Sequence, residues 1–229
     1  MQNQQPSTLK EIRVHGTQDF PCAFYQTGTR IKGNMVKHHW HEEVELLYFS
    51  GGEFCLEVNM ERFNISEECF YVINPGELHS ISVEKNGGCV ENAVVFHMDM
   101  LSSAYALDQI QTNLIQPVQN GSIQFPRCLR KNEPAFEPVR KSYEEIRNVF
   151  GGDSFRENYY DGEAVTDDIT RQLFIKSALL RILAVLSANN LFEVTEKNHD
   201  HRIETIKTTL TYIQENYKEK IYIRDLAGL

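Results

Sequence analysis

The sequence predicts a mainly β fold, a sandwich or jelly-roll barrel, followed by helices. Three observations carry that reading. Up to about residue 98, short runs of Val, Ile, Phe and Tyr are separated by Gly, Asn and Pro. Beyond residue 134, apolar residues recur in steps of three and four. Within the β-rich part, histidines and a glutamate stand at even separations.

The chain has 229 residues, 41% of them hydrophobic, enough for a sizeable core in one large domain or in one domain with a smaller piece. Its formal net charge of −9 makes it a poor nucleic-acid binder as it stands, because phosphate contacts need clustered Lys and Arg. There is no long apolar run, and Met1 to Lys10 is polar. Neither a membrane span nor a signal segment is expected, and the expected location is cytoplasmic. The cysteines Cys22, Cys55, Cys69, Cys89 and Cys128 form no C-x-x-C spacing. They read as reduced thiols, several of them core-packed, and a structural zinc site made of them is not expected.

Taken in order, residues 1–10 read as a flexible arm and residues 11–134 as the barrel. Its strand candidates include Ala23–Tyr25, Val44–Phe49, Phe54–Val58, Phe70–Ile73 and Val90–Phe96, with Gly51-Gly52 read as a hairpin turn. Residues 99–134 are mixed, broken by Pro117, Pro126 and Pro134. Residues 135–195 read as helical. Phe136, Val139, Tyr143, Ile146 and Phe150 form one stripe, ended by Gly151-Gly152 and followed by a polar loop through Gly162.

The next helix is expected from about Asp167 to Asn189, with Asp167 and Asp168 in its first turn, where the helix dipole favours negative charge. It bears two stripes: Ile175, Leu179, Ile182 and Leu186 form one, and Ile169, Leu173, Leu180 and Leu183 the other. One can pack on the barrel while the other meets a neighbouring helix; a single broad stripe buried within one chain is the alternative. The residues proposed for a homodimer contact are Ile175, Leu179, Ile182 and Leu186. Residues 196–202 read as a polar linker. Ile203, Ile206, Leu210, Ile213 and Tyr217 form a last helical stripe, and Asp225–Leu229 looks like the start of a further helix. The chain is therefore expected to stop inside a domain.

The chemistry is concentrated in one spaced pattern, Gly33…His39-Trp40-His41…Glu45…Gly52, followed by the turn Asn74-Pro75-Gly76-Glu77-Leu78-His79. On a strand, His39, His41 and Glu45 would point the same way, and His79 could meet them across a barrel. Three imidazoles and a carboxylate can hold zinc, manganese, iron or nickel with a position left open. The same groups can instead hydrogen-bond the hydroxyls of a sugar-like effector directly. Trp40, Tyr48 and Tyr71 are close in sequence, although alternation sets Trp40 and Tyr48 on the opposite face. A solvated histidine is the plainer reading for any one of these residues, but four in phase favour a pocket. Glu43 shares the parity of His39 and is a further candidate, though Glu42-Glu43 also reads as a solvated charge pair. His97 reads as structural and Lys37-His38 as surface charge.

Two resemblances meet on these residues. The first pattern resembles the first cupin motif at every position. Pro75-Gly76-Glu77-Leu78-His79 resembles the second in part, with Val83 where an asparagine is usual. The ending, Ile203 to Leu229, resembles the beginning of the DNA-binding domain of AraC-type transcription regulators: Thr211–Tyr217 before a turn, then Ile223-Arg224-Asp225-Leu226-Ala227 opening a helix-turn-helix. His15–Pro21 and Val95–Leu101 also resemble that family's effector domain. The resemblance implies a cupin-like sensor and a helical dimerisation segment, with a DNA-binding domain of which only the start is present. It further implies a small-molecule effector, commonly a carbohydrate, contacted without turnover, which ranks direct effector contact above metal. A metal-dependent cupin enzyme, a dioxygenase or sugar isomerase, is the rival reading.

Overall fold

The computed structural model describes residues 9–29, 32–85, 89–105, 107–151, 162–195, 201–226 and 228. The strands are β1 (Cys22–Thr29), β2 (Gly33–His39), β3 (Val44–Phe49), β4 (Phe54–Val58), β5 (Glu61–Ile65), β6 (Cys69–Ile73), β7 (His79–Val83), β8 (Cys89–Phe96), β9 (Ile123–Gln124), β10 (Cys128–Arg130), β11 (Gly162–Ala164) and β12 (Glu193–Val194). Two antiparallel sheets face one another, a large one in the order β10-β6-β3-β8-β1-β11 and a small one in the order β2-β7-β4-β5; β9 and β12 form a separate two-stranded ladder. The helices are α1 (Gln116–Gln119), α2 (Phe136–Phe150), α3 (Ile169–Ala188), α4 (His201–Asn216) and α5 (Ile223–Leu226). The β-then-α order expected from the pattern is present. Among the described residues no helix is long and apolar enough to cross a membrane.

The large sheet is buried on both faces, which is why β3 and β6 read as nearly continuous apolar runs. Val44, Leu46, Tyr48, Phe70, Val72, Val94 and Phe96 share a core with α2 and α3. Leu47, Phe49, Tyr71, Ile73, Ala93 and Val95 face the other way, toward Leu56, Ile81 and Val83 of the small sheet. The helices and the barrel, drawn as successive regions on either side of residue 134, thus share one core.

Gly51-Gly52 does not close a hairpin. Strand β3 belongs to the large sheet and β4 to the small one, and the two glycines, at φ 147° and 116°, let the chain pass between them. The tight hairpin is β4–β5, turning at Asn59-Met60 with φ 48° and 70°. Both turn residues carry the positive φ that two-residue hairpin loops with the right-handed strand twist require.

Every residue of the α2 stripe is buried, and Gly151 at φ 128° ends the helix. Asp168 is the N-cap of α3, one position before the first turn where it was expected, and its side chain accepts a hydrogen bond of 2.8 Å from the Arg171 amide. Asp168→Ala will cost about 1 kcal/mol of unfolding free energy, measurable by urea titration.

The stripe Ile175, Leu179, Ile182 and Leu186, expected as a dimer contact, lies in the core against α2 and the large sheet. The large sheet and α2 cover this face within one chain. The large apolar residues of α3 left exposed are Ile169, Leu173, Phe174 and Leu180, while Leu183 of the second expected stripe is buried with the first.

The expected linker residues 196–200 lie outside the described residues, and 201–202 begin α4. Of the expected arm, residues 1–8 also lie outside them. Leu9 and Lys10 are held to the barrel: Trp40 N–H donates to Leu9 O at 3.0 Å and Glu11 N–H donates to Trp40 O at 2.9 Å.

Candidate metal and effector site

His39, His41, Glu45 and His79 do converge, but not from one strand. Strand β2 ends at His39, where it pairs with His79 of β7. Trp40 to Glu43 carry the chain across to the large sheet, and Glu45 is the second residue of β3. Parity along a single strand is therefore not what aligns the four side chains. They meet because the chain changes sheets between His39 and Glu45, and that crossing closes one end of the barrel.

The ring of His79 lies 4.2 Å from that of His39 and 5.1 Å from that of His41, centroid to centroid. Glu45 points inward from a file otherwise made of Leu47 and Phe49. Its Oε2 is 3.0 Å from His79 Nε2 and 3.4 Å from His41 Nε2. His41 and His79 are buried, and Glu45 and His39 are mostly so.

The tautomers follow from partners that can only accept. His39 Nδ1 lies 2.8 Å from Lys37 O, His41 Nδ1 3.2 Å from Glu43 O, and His79 Nδ1 2.9 Å from Glu77 O. A carbonyl oxygen cannot donate, so each Nδ1 bears the proton and each neutral ring turns a bare Nε2 lone pair into the cluster. Those lone pairs face carboxylate oxygens, which are also acceptors. Glu45 Oε2 and His79 Nε2 are correspondingly buried with no hydrogen-bond partner. Acceptor facing acceptor is unfavourable unless a proton or a cation lies between them.

Burial opposes a charge on His41, but the Glu45 carboxylate, with Glu43 and Glu11, outweighs burial and raises the His41 pKa. Burial likewise opposes the Glu45 charge, yet His41 and His79 hold that carboxyl well below the usual range. Burial, joined by the nearby His79, pulls His39 down to about 4, so it is neutral at ordinary pH. A backbone-anchored Nδ1–H with a free Nε2 is the arrangement seen in metal-bound histidines whose other ring nitrogen donates to a carbonyl. The donor set of His39, His41 and His79 thus fits a divalent metal, and their ligand atoms lie within 4.8 Å of one another.

The turn before β7 is held by an ion pair of buried Glu77 with half-buried Arg127. Arg127 contacts both Glu77 carboxylate oxygens, with Nη1 to Oε2 at 2.7 Å, and also donates to Val72 O at 2.6 Å. Glu77 accepts from the Asn74 amide at 2.7 Å and from Asn59 Nδ2 at 3.3 Å, while Gly76 N–H donates to His41 O at 2.7 Å. This framework sets the carbonyl that orients His79. Glu77, in the motif but not among the predicted contacts, positions the ligands from behind.

The remaining predicted residues sort as follows. Glu43 Oε2 lies 3.6 Å from His41 Nδ1, on the ring edge turned away from the cluster. Tyr48 faces the helices, and Tyr71 packs among Phe49 and Phe63 inside the barrel. The Trp40 ring has Lys10 Nζ at 4.7 Å and Lys207 Nζ of α4 at 4.6 Å. His38 points out of the cluster toward Ser80 and Glu57. His97 caps the 3₁₀ turn Met98–Leu101 by accepting from the Asp99 amide.

Sequence reasoning missed Glu11 and His15. Glu11 Oε2 lies 3.3 Å from His39 Nε2 and 3.5 Å from His15 Nε2. His15 is buried, with its ring 5.1 Å from that of His41. Glu11, His15 and His41 form a second group with metal-ligand spacing. The i,i+4 relation of Glu11 and His15 is visible in the sequence, but no local pattern ties them to a motif that starts at Gly33.

The family model for the AraC-like ligand binding domain matches residues 26–148, from β1 through most of α2. The chain belongs to this AraC-like family. An uncharacterized HTH-type transcriptional regulator, YdeC, of Bacillus subtilis strain 168 is 25% identical over 227 residues, covering 96% of this chain and 69% of that protein. Among solved structures, a predicted oxalate decarboxylase from Thermotoga maritima is similar at 24% identity and TM-score 0.31, over 32% of this chain and 64% of that one. The cupin domain of Cnp3 from Schizosaccharomyces pombe is similar at 10% identity and TM-score 0.33, over 35% of this chain and 58% of that one. The AraC-like chain therefore spans less than two thirds of either solved structure. In this AraC-like chain the imidazole cluster lies against the Leu9–Glu11 segment, through Glu11 and His39.

Proposed function

We propose that this chain is the ligand-sensing region of an AraC-type transcription regulator whose barrel holds a divalent metal ion at His39, His41, Glu45 and His79. A small-molecule effector bound at the same cluster modulates sequence-specific DNA binding by helix-turn-helix elements. The observation that supports the reading is the set of Nδ1-anchored imidazoles whose Nε2 lone pairs face carboxylates, a geometry completed by a cation. Bound metal would supply a Lewis-acidic position, and the chain's own residues orient its ligands and exclude water. The direct-contact reading expected from the resemblance is thereby extended: the effector meets the cluster through its cation. A carbohydrate-like effector would find hydrogen-bonding groups here, but neither Trp40 nor Tyr48 offers it a stacking face.

The test is metal analysis of protein purified without a His-tag, with about one ion per chain expected. A metal-free chain that takes up no zinc, manganese, iron or nickel in a thermal-shift screen would remove the metal from this reading. The same donor set supports the rival, a cupin enzyme. Oxygen uptake or sugar isomerisation at enzyme-like rates by the metal-loaded chain is the result that would favour it.

A homodimer belongs to the same proposal, now through the outer face of α3. Ile169, Leu173 and Leu180 recur there at helical spacing, with Phe174 to one side, exposed by between 43% and 73%. Leu173→Glu will shift the chain to monomer in light scattering without lowering its thermal stability. An unchanged mass would place any dimer contact elsewhere.

A further inference from the structure

The N-terminal segment does more than border the cluster. Tyr25 Oη donates to Glu163 Oε1 at 2.7 Å, so at 2.8 Å from His15 Nδ1 it must accept, and the His15 proton sits on Nδ1. The His15 Nε2 lone pair therefore joins those of His39, His41 and His79, and it too is buried with no hydrogen-bond partner. Glu11 Oε2 is set between His15 Nε2 and His39 Nε2. It is the counterpart of Glu45 Oε2 between His41 and His79. Glu45 comes from the middle of a sheet; Glu11 comes from a segment joined to the barrel by two backbone hydrogen bonds at Trp40, by the side chain of Leu9, and by ion pairs of Lys10 with Glu42 and of Arg13 with Glu163. Those ion pairs are largely exposed and weak. One carboxylate thus comes from within a sheet and the other from a segment outside both sheets. A cleft of about 450 Å³ among Lys32, Glu53, Asn64 and Glu84 is at the other end of the small sheet from the imidazoles.

We propose that the Glu11 carboxylate is an internal occupant of the effector position, and that the effectors of this chain are small carboxylates that take its place at His15, His39 and the cluster's cation. This rests on the metal and effector reading above and names the ligand class for it. Displacement exchanges one carboxylate for another at the same lone pairs and cation, so the site's charge balance is kept. It also frees residues 9–13 from Trp40. A neutral sugar in that place would leave the cation without the anion that Glu11 supplied. Because an internal competitor multiplies apparent affinity by the fraction of time the site is open, removing it will tighten binding by about tenfold if Glu11 is in place about nine-tenths of the time.

The experiment uses the full 229-residue chain with one equivalent of zinc. Acetate, succinate and glucose are titrated by calorimetry and by the emission of Trp40, the single tryptophan of the chain. In the unaltered chain, acetate and succinate are expected to bind and to shift Trp40 emission as the segment leaves. In Glu11→Gln they are expected to bind about tenfold tighter, with glucose weak in both. Three results would each overturn the inference: carboxylate binding that leaves Trp40 emission unchanged, affinity unmoved or weakened by Glu11→Gln, or glucose binding as well as succinate. If zinc binds and is lost in His79→Ala while Glu11→Gln changes nothing, this inference falls and the metal reading stands. If neither zinc nor any of the three compounds binds, both fall.

Discussion

Replacing His79 by alanine will abolish stoichiometric metal binding. The expected loss in affinity is more than about a hundredfold, beyond the roughly 10–100-fold that outer-shell changes cost. His79 Nε2 is a buried lone pair without a partner, and its ring is held by Glu77 O, so no neighbour can substitute for it. His38→Ala is the control: it removes an imidazole one residue from His39 that points instead at Ser80 and Glu57, and it should leave metal content unchanged. Calorimetric titration of the tag-free protein reads both.

The pH dependence carries a sign. The proton on His41 competes with the metal, and its pKa is raised above the ordinary 6.5 by Glu45, so metal affinity falls as pH drops toward and below that raised value. His39, held near 4, does not contribute to the fall until much lower pH. For the metal-free chain, the His41 contribution to stability is fully present below about pH 6.5 and is lost as pH rises through the raised folded value. The Glu45 contribution runs the other way. It is present above about 4.5 and is lost as pH falls through the lowered folded value. The increase in melting temperature on adding metal should therefore grow from pH 6 to pH 8. An increase that shrinks over that range would place the metal away from His41.

Arg127→Met will give the second large effect, a loss of about 3 kcal/mol and a fall in melting temperature of roughly 6–12 °C. Glu77 is 8% exposed and Arg127 25%, so removing the guanidinium leaves a nearly buried carboxylate with only the Asn74 amide and Asn59 as donors. The double variant Arg127→Met with Glu77→Leu should recover part of the loss, because the stranded charge goes with its partner. Metal affinity should fall in the single variant as well, since Glu77 O would no longer fix the His79 ring. Calorimetric unfolding that shows a change below about 1 kcal/mol would mean the pair is solvated and that the turn is held by the Asn59 and Asn74 bonds alone.

The parts that could be read from the sequence were those whose physics is local. Strand runs in β3, β4, β6 and β8 declare themselves by composition, and the α2 stripe by its period; both depend on neighbours within a few residues. The histidine pattern could be picked out because four such side chains are improbable by chance at that spacing, although the strand parity used to align them does not describe the chain between His39 and Val44. What was misread depended on partners distant in sequence. Gly51-Gly52 looks like a hairpin turn until β3 and β4 are seen to lie in different sheets. The stripe Ile175, Leu179, Ile182 and Leu186 looks available for a second chain until the large sheet covers it.

By itself, the sequence determined the mixed β-then-α class and picked out His39, His41, Glu45 and His79 as one candidate cluster. Only the tertiary structure decided which sheet each strand joins, which face of α3 is left outside, and that Glu11 and His15 complete the centre from the start of the chain. The difference is one of range. Propensity and periodicity are written in adjacent residues, whereas register between sheets, and the proton on each imidazole, are set by groups such as Lys37 O, Glu77 O and Tyr25 Oη that only folding brings into contact.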